Sequence, residues 1–238
     1  PNNKINKIIK KKMKIICFIF ARGKSKGIKN KNLLKFKRVS LLGNSIIQAK
    51  KISLIKDIFV STDSKKIRLE ALKYGAKVPF LRPKHLAMDN TPELKAWRHA
   101  IAYLKKIDYK ADYIVSLPTT APLRKQSDIL KCIKLATEKK LDFVFTVSPS
   151  FRNPYFNMVR LYKNKISKVI NKKDIYRRQD APKCYDMNNA CFVFKTKYVL
   201  KYDNLLSGKC KIIEMPRSRS IDIDDKFDYN LVKKIVNL

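Results

Sequence analysis

The alternation of short apolar runs with helix-periodic segments limits the fold of this 238-residue chain more than any other feature. From Met13 onward, residues 14–21, 57–62, 112–117 and 143–147 are short apolar runs without helical periodicity, as buried strands are. Helix signals lie between them. Ser64 is placed to cap a helix that stops at Gly75. Thr91-Pro92-Glu93 combines a cap, a first-turn proline and an acid near the positive helix end. Leu94, Trp97, Ile101 and Leu104 then recur on one face, as a core stripe does. Ser127 and Asp128 open another helix, which carries Ile129, Ile133 and Ala136. Together these predict an α/β fold, a mostly parallel sheet with helices on both faces.

The later half is less regular. Residues 150–178 are polar and aromatic, are interrupted by Pro154, and are expected to form a hairpin excursion used in dimer contact. Residues 190–194 and 211–214 are further strand candidates, and an amphipathic helix carrying Phe227, Leu231, Ile235 and Val236 closes the chain. No repeat or linker interrupts residues 13–238, so one domain is expected there. Residues 1–12 are polar and basic, and are expected to be a disordered arm or an upstream extension without a role. Hydrophobic residues at 45% favour a packed core over disorder. No apolar run approaches the roughly 18 residues of a membrane span. The basic start and Ile15-Ile16-Cys17-Phe18-Ile19-Phe20 mimic a secretory signal. The apolar stretch is short, however, and leads into Ala21-Arg22-Gly23, which suits a buried first strand.

The formal charge of +36 raises the question of a nucleic-acid partner. Its lysines are spread over every segment rather than gathered on one helix, so compositional bias explains the charge better, and no specific nucleic-acid partner is expected. Five cysteines without a CxxC pair fit a reducing, cytoplasmic setting. Two histidines make a histidine-rich zinc site implausible.

Two features carry chemistry. After the first strand comes Arg22-Gly23-Lys24-Ser25-Lys26-Gly27, followed by Lys31-Asn32. A glycine-containing loop at the carboxyl end of a first strand is where α/β proteins seat phosphates, and its backbone amides can approach an anion closely. Arg22, Lys26 and Lys31 can neutralise a triphosphate. The spacing matches neither GxxxxGK[ST] nor GxGxxG, and on charge alone a solvated basic loop serves as well. The second feature is Ser220-Ile221-Asp222-Ile223-Asp224-Asp225. In an extended segment the isoleucines share one face and Asp222 and Asp224 the other, with Cα atoms roughly 6.5–7 Å apart. Such a pair can share a magnesium ion with substrate phosphates. The plainer alternative is an exposed acidic stretch in which Asp225 caps the last helix.

The pattern Arg22-x-x-Ser25-Lys26-Gly27-x-x-x-Lys31-Asn32 resembles the signature of the acylneuraminate cytidylyltransferases, or CMP-sialate synthetases. Ser61-Thr62-Asp63, Leu81-Arg82-Pro83 with Leu86-Ala87 and Asp89, Pro122-Leu123-Arg124, Arg178-Gln179 with Pro182, and Ser220-Ile221-Asp222-Ile223-Asp224 follow in that family's order. The resemblance implies a Rossmann-like domain, a homodimer with a small dimerisation excursion, and Mg2+ or Mn2+ at Asp222 and Asp224. It implies transfer of CMP from CTP to an acidic nonulosonate sugar for cell-surface glycan synthesis, with release of pyrophosphate. Arg22, Gly23, Ser25, Lys26, Lys31, Asn32 and Arg82 would then face the nucleotide, with Arg22, Lys31, Asp222 and Asp224 at the chemistry. Arg177, Arg178, Gln179 and Asn188 are the sugar-side candidates, because arginine grips a carboxylate bidentately.

There are departures. The family's LQPTSPLR is here Leu117-Pro118-Thr119-Thr120-Ala121-Pro122-Leu123-Arg124, and its RPNGA is Asp186-Met187-Asn188-Asn189-Ala190. Pro118 replaces a substrate-binding glutamine, and Asp186 reverses a charge on the sugar side. Arg152-Asn153-Pro154-Tyr155-Phe156-Asn157 and residues 181–188 resemble the legionaminic-acid branch. Competing expectations are a Kdo cytidylyltransferase, a glycosyltransferase using Asp222-Ile223-Asp224 as a DxD motif, and a nucleic-acid-binding module.

Overall fold

In the computed structural model, which describes residues 13–172 and 174–237, the apolar runs are strands. They are β1 (Ile15–Phe20), β4 (Ile55–Ser61), β5 (Tyr113–Ser116) and β6 (Phe143–Pro149), joined by β9 (Tyr185–Lys195) and β10 (Cys210–Glu214). The sheet order is β10-β6-β9-β5-β1-β4. Every neighbouring pair is parallel except those of β9, which runs antiparallel to both β5 and β6. Two two-stranded ribbons complete the β-structure, β2 (Lys35–Phe36) with β3 (Val39–Ser40), and β7 (Val159–Tyr162) with β8 (Lys165–Lys168). The second ribbon is the hairpin expected within residues 150–178. The basic arm expected at 1–12 lies outside the described residues.

Side chains alternate across the sheet, so each strand feeds two cores. Ile15, Cys17 and Ile19 face α1 (Leu41–Lys50), α2 (Lys65–Lys73) and α4 (Gln126–Glu138) through Ile46, Ile67 and Ile133. Ile16 and Phe18 face α3 (Glu93–Lys106) and α5 (Thr196–Lys201) through Trp97, Ile101 and Val199. The expected Leu94–Leu104 stripe is the apolar face of α3, and Trp97 stacks on Phe194 with ring centres 4.4 Å apart and planes 11° from parallel. The closing helix, α6 (Lys226–Asn237), buries Val232 against Ile28, Phe36 and Ile223. Among the described residues no helix is long and apolar enough to cross a membrane.

Local signals held in part. Ser64 Oγ accepts from the Ile67 amide, and the chain turns out of α2 at Gly75 with φ of 72°. Thr91 does not cap α3. Its hydroxyl donates to the His85 carbonyl at 2.8 Å, and the helix starts at Glu93 behind Pro92. The helix assigned to Ser127 and Asp128 starts at Gln126, with the Asp128 carboxylate accepting from the Lys125 amide at 2.8 Å. α1 had no assignment from sequence, although Ser40 Oγ accepts from the Gly43 amide as a cap does.

Phe194 is fully buried on β9, the central strand where the sheet direction reverses, and it supports Trp97. Phe194→Ala is expected to cost about 3–5 kcal/mol of unfolding free energy, measurable by urea denaturation followed by circular dichroism.

Candidate functional site

The loop leaving β1 and the segment entering α6 meet at the carboxyl edge of the sheet. Lys31 Nζ donates to the Ile223 carbonyl at 2.7 Å and lies 3.5 Å from the Asp224 carboxylate. A Cβ at Gly27 would overlap the Asp224 carbonyl oxygen, so only glycine permits this approach. Ile221 and Ile223 pack inward with Phe36 and Leu41, which leaves Asp222 half-buried and Asp224 exposed, as the alternation requires. Asp225 does cap α6, by accepting from the Asp228 amide at 3.0 Å. The plain reading therefore holds for Asp225.

The two segments enclose a cavity of about 460 Å3, lined by Arg22, Ser25, Lys26, Lys31, Asn32 and Asp224. Gly23 anchors the loop by donating its amide to Asp63 at 2.7 Å. Asn32 is buried, donates to the Arg22 carbonyl at 2.8 Å and accepts from the Thr119 hydroxyl. Arg22 pairs with Asp89 at 2.7 Å, and Lys26 with the same carboxylate at 3.4 Å. Five of the residues assigned to phosphates thus converge on one cavity.

Arg82 lies in an adjoining cleft of about 280 Å3 that shares Phe20 and Arg22 with the first. It is buried, donates to the Ser61 carbonyl at 2.7 Å, and leaves Nε without a partner. Burial pushes its guanidinium below the usual range, with Asp63 and Glu93 opposing.

Asp222 receives a hydrogen bond from Asn189 Nδ2 at 2.7 Å on Oδ2, while its buried Oδ1 has no partner. Burial pushes its carboxyl above the usual range, and bonds from Thr120 and Asn189 oppose that. An orphan carboxylate oxygen beside a second carboxylate fits a hard cation that takes its other ligands from phosphate and water. Among the described residues no group of three or more His, Cys, Asp or Glu side chains could hold a metal ion.

The sugar-side candidates lie apart from this centre. Arg178 and Gln179 line a separate cavity of about 470 Å3 with Ser150, Lys183, Tyr185 and Glu214, while Arg177 pairs with Asp180 at 3.1 Å. Asn188 is buried and donates to Ser220 Oγ at 2.9 Å, and Asn189 is the asparagine that reaches Asp222. Asp186 accepts from the Ser150 hydroxyl at 2.6 Å and the Phe151 amide at 3.3 Å, so it ties down the base of the excursion.

Four contributors had no site role from sequence. Thr120 and Asn189 hold Asp222, and Arg124 holds the loop that carries Thr120. Arg124 is buried and donates to the Pro118 carbonyl at 2.5 Å, the Ala190 carbonyl at 3.1 Å and Ser45 Oγ at 2.5 Å. Burial pushes its guanidinium down to about 10. The fourth is Glu93, a helix-end acid by its sequence position, which here lines the Arg82 cleft.

Residues 16–213 match the family described as Cytidylyltransferase. The chain is 39% identical over 226 residues to the CMP-N,N'-diacetyllegionaminic acid synthase of Campylobacter jejuni, covering 94% of this chain and 95% of that protein. It is 37% identical over 225 residues to the post-translational flagellin modification protein B of Campylobacter coli, covering 93% and 94% of the two chains. Among solved structures it resembles a CMP:2-keto-3-deoxy-manno-octonic acid synthetase complexed with CTP. There the TM-score is 0.70 at 12% identity, over 94% of this chain and 98% of the other, which speaks to the fold.

The raised Asp222 carboxyl means that folding disfavours its charged form. That penalty is absent below the unfolded carboxylate range and grows as pH rises toward the folded value. In the metal-free protein, Asp222→Asn is therefore expected to melt higher than wild type at neutral pH, with the difference fading in acid. Melting curves in chelator across pH check it.

Proposed function

Because this chain belongs to the cytidylyltransferase family, we propose that it transfers CMP from CTP to the anomeric hydroxyl of a nonulosonic acid and releases pyrophosphate. The observation that carries this reading is the convergence of Arg22, Lys26, Lys31 and Asp224 on one cavity at the carboxyl edge of the sheet, with Asp222 two residues earlier on the same segment. The sugar oxygen forms a bond to the α-phosphorus, and the bond from that phosphorus to the pyrophosphate oxygen breaks. The hydroxyl proton leaves to a base, for which Asp222 or Asp224 is the candidate carboxylate. Arg22, Lys26 and Lys31 stabilise the charge that collects on pyrophosphate, and the fixed loop supplies alignment. Asp222 and Asp224 would hold Mg2+ or Mn2+, which when bound neutralises phosphate charge.

A legionaminic-type acid is the favoured acceptor, supported by the 39% identity to the Campylobacter jejuni synthase. A homodimer joined through the β7–β8 hairpin is supported by its apolar stripe, with Val159, Leu161 and Ile166 at 69%, 69% and 74% exposure. Free cysteines, with Cys17, Cys132 and Cys191 buried, support a reducing cytoplasmic setting. A positive field from the +36 charge would aid capture of a triphosphate and an acidic sugar.

Pyrophosphate release over a panel of nucleoside triphosphates crossed with neuraminic, legionaminic, pseudaminic and Kdo acids tests the reading. Turnover is expected with CTP and a nine-carbon acid, fastest with the legionaminic type. Failure with every acid in the presence of CTP and magnesium overturns it. Chelator is expected to abolish the activity, and Asp222→Asn or Asp224→Asn to lower kcat by at least about 100-fold. Gly27→Ala, which pushes the loop off Asp224, is expected to lower kcat/KM by about 10–100-fold, with the melting temperature as control for folding.

A further inference from the structure

Asn189 stands in a backbone conformation that costs folding energy. Its φ is 48°, in the left-handed region that side chains disfavour, and asparagine is among the few non-glycine residues that tolerate it. The strand around it is irregular as well. Val147 and Phe145 of β6 pair with Met187 and Phe192 of β9, so residues 188–191 all lie opposite Thr146. A bulge of this kind breaks the ladder of hydrogen bonds and re-aims side chains. Here side chains take up three of the released groups. Thr146 Oγ1 accepts from the Cys191 amide at 3.0 Å, Asn188 Oδ1 accepts from the Ala190 amide at 3.3 Å, and Arg124 donates to the Ala190 carbonyl at 3.1 Å. The irregularity is thus built into the buried frame.

Its consequence is a break in alternation. Successive side chains of a regular strand leave on opposite faces, yet Asn188 and Asn189 both reach the acidic segment. Asn188 Nδ2 donates to Ser220 Oγ at 2.9 Å, and Asn189 Nδ2 donates to Asp222 Oδ2 at 2.7 Å. Two anchors two residues apart resist twisting of the segment about its own axis, which a single hydrogen bond would permit. From other directions the Thr120 carbonyl accepts from the Ile223 amide at 2.8 Å, and Lys31 holds the Ile223 carbonyl at 2.7 Å. Those two bonds set the backbone, whereas Asn189 acts on the carboxylate itself.

We propose that Asn189 is a positioning residue for Asp222: the left-handed bulge turns its amide onto Oδ2 and so fixes the carboxylate as a ligand for the divalent cation of the reaction. This rests on Asp222 and Asp224 being that cation's ligands, as the proposed function has them. Oδ2 is committed to the amide and Oδ1 has no partner, so the carboxylate meets a cation in one orientation rather than two. Ligating carboxylates are commonly held by such outer hydrogen bonds, and loss of the outer partner weakens metal affinity. Backbone strain at a functional site persists where the surrounding structure over-determines it, as the bonded bulge does here. The rival account is that asparagine merely tolerates the backbone. Glycine separates the two, since it adopts the conformation freely and brings no donor.

Wild type, Asn189→Gly and Asn189→Ala are titrated with Mn2+ in saturating CTP without a sugar acceptor, and electron paramagnetic resonance reads free against bound Mn2+ with no turnover. Melting temperatures are taken on the metal-free proteins, and kcat and KM for CTP in the complete assay. Asn189→Gly is expected to stay folded, to bind Mn2+ about 10-fold more weakly, and to lose more in kcat than it gains in KM. Asn189→Ala, which keeps the strain, is expected to match it in Mn2+ affinity while melting lower. Wild-type affinity and kcat in Asn189→Gly, with or without a defect in Asn189→Ala, would show a purely backbone role and overturn the assignment while leaving the proposed reaction intact. Unfolding of the glycine variant at the assay temperature overturns it too, because the assignment requires a folded site that lacks only the donor. If wild type neither binds Mn2+ with CTP nor releases pyrophosphate, the assignment falls together with the proposed reaction.

Discussion

The contact between Lys31 and the backbone of Ile223 spans 192 residues of sequence, and the site depends on it. It brings the cationic loop behind the first strand against the acidic segment before the last helix. Neither segment belongs to a strand or an α-helix, so each needs outside support. Ile28 and Ile223 supply it by sharing a small core with Phe36, Leu41 and Val232. The absence of a side chain at Gly27 allows the backbones to touch. Charge then works in the same direction, because a lysine with little solvent access lies against a carboxylate that is largely exposed.

Around that contact the chain builds a frame from buried polar groups. The 118–124 loop is strapped to α1 and to β9 by Arg124, and it offers the Thr120 carbonyl to the Ile223 amide at 2.8 Å. Asp128, buried at the start of α4, accepts from Arg219 Nη2 at 2.7 Å and Nε at 3.2 Å and so positions the turn that precedes Ser220. Buried charges of this kind are costly when unpaired and rigid when every partner is in place. The result is a half-buried Asp222 that keeps one oxygen without a partner, as Arg124 keeps its Nε. Pre-organisation is therefore located in the residues that hold the acids, as well as in the acids themselves.

How much of this was legible follows from the range of the interactions. Strands β1, β4, β5 and β6 were legible because burial on both faces writes a continuous apolar run. The Arg22–Asn32 loop and the Asp222–Asp224 alternation were legible because each is local in sequence. α1 was missed because its Ser40 cap sits beside the short β2–β3 ribbon and its apolar residues form no clean stripe. Asn189 had no role from sequence because a one-residue offset on an irregular strand decides which side chain reaches Asp222, and β9 is offset against β6 between Phe145 and Val147. Glu93 was read as a helix-end acid, and only the parallel bridge that carries Leu81 and Arg82 back along Thr62 reveals what it faces.

The charge balance looks different once the acids are located. With 55 basic and 19 acidic residues, a random surface acid would be expected to sit among lysines far from any site. Instead Asp89 and Glu93 line the Arg82 cleft and Asp224 the adjoining cavity, Asp63 holds the Gly23 amide, and Asp222, Asp225, Asp228 and Asp128 lie in or hold the segments that form them. The basic residues are diffuse and say little about position. The scarce acids are where geometry needs an acceptor, whether for a backbone amide, an arginine, a cation or a base. In a chain this positive, negative charge is the more informative signal, and it converges on the carboxyl edge of the sheet.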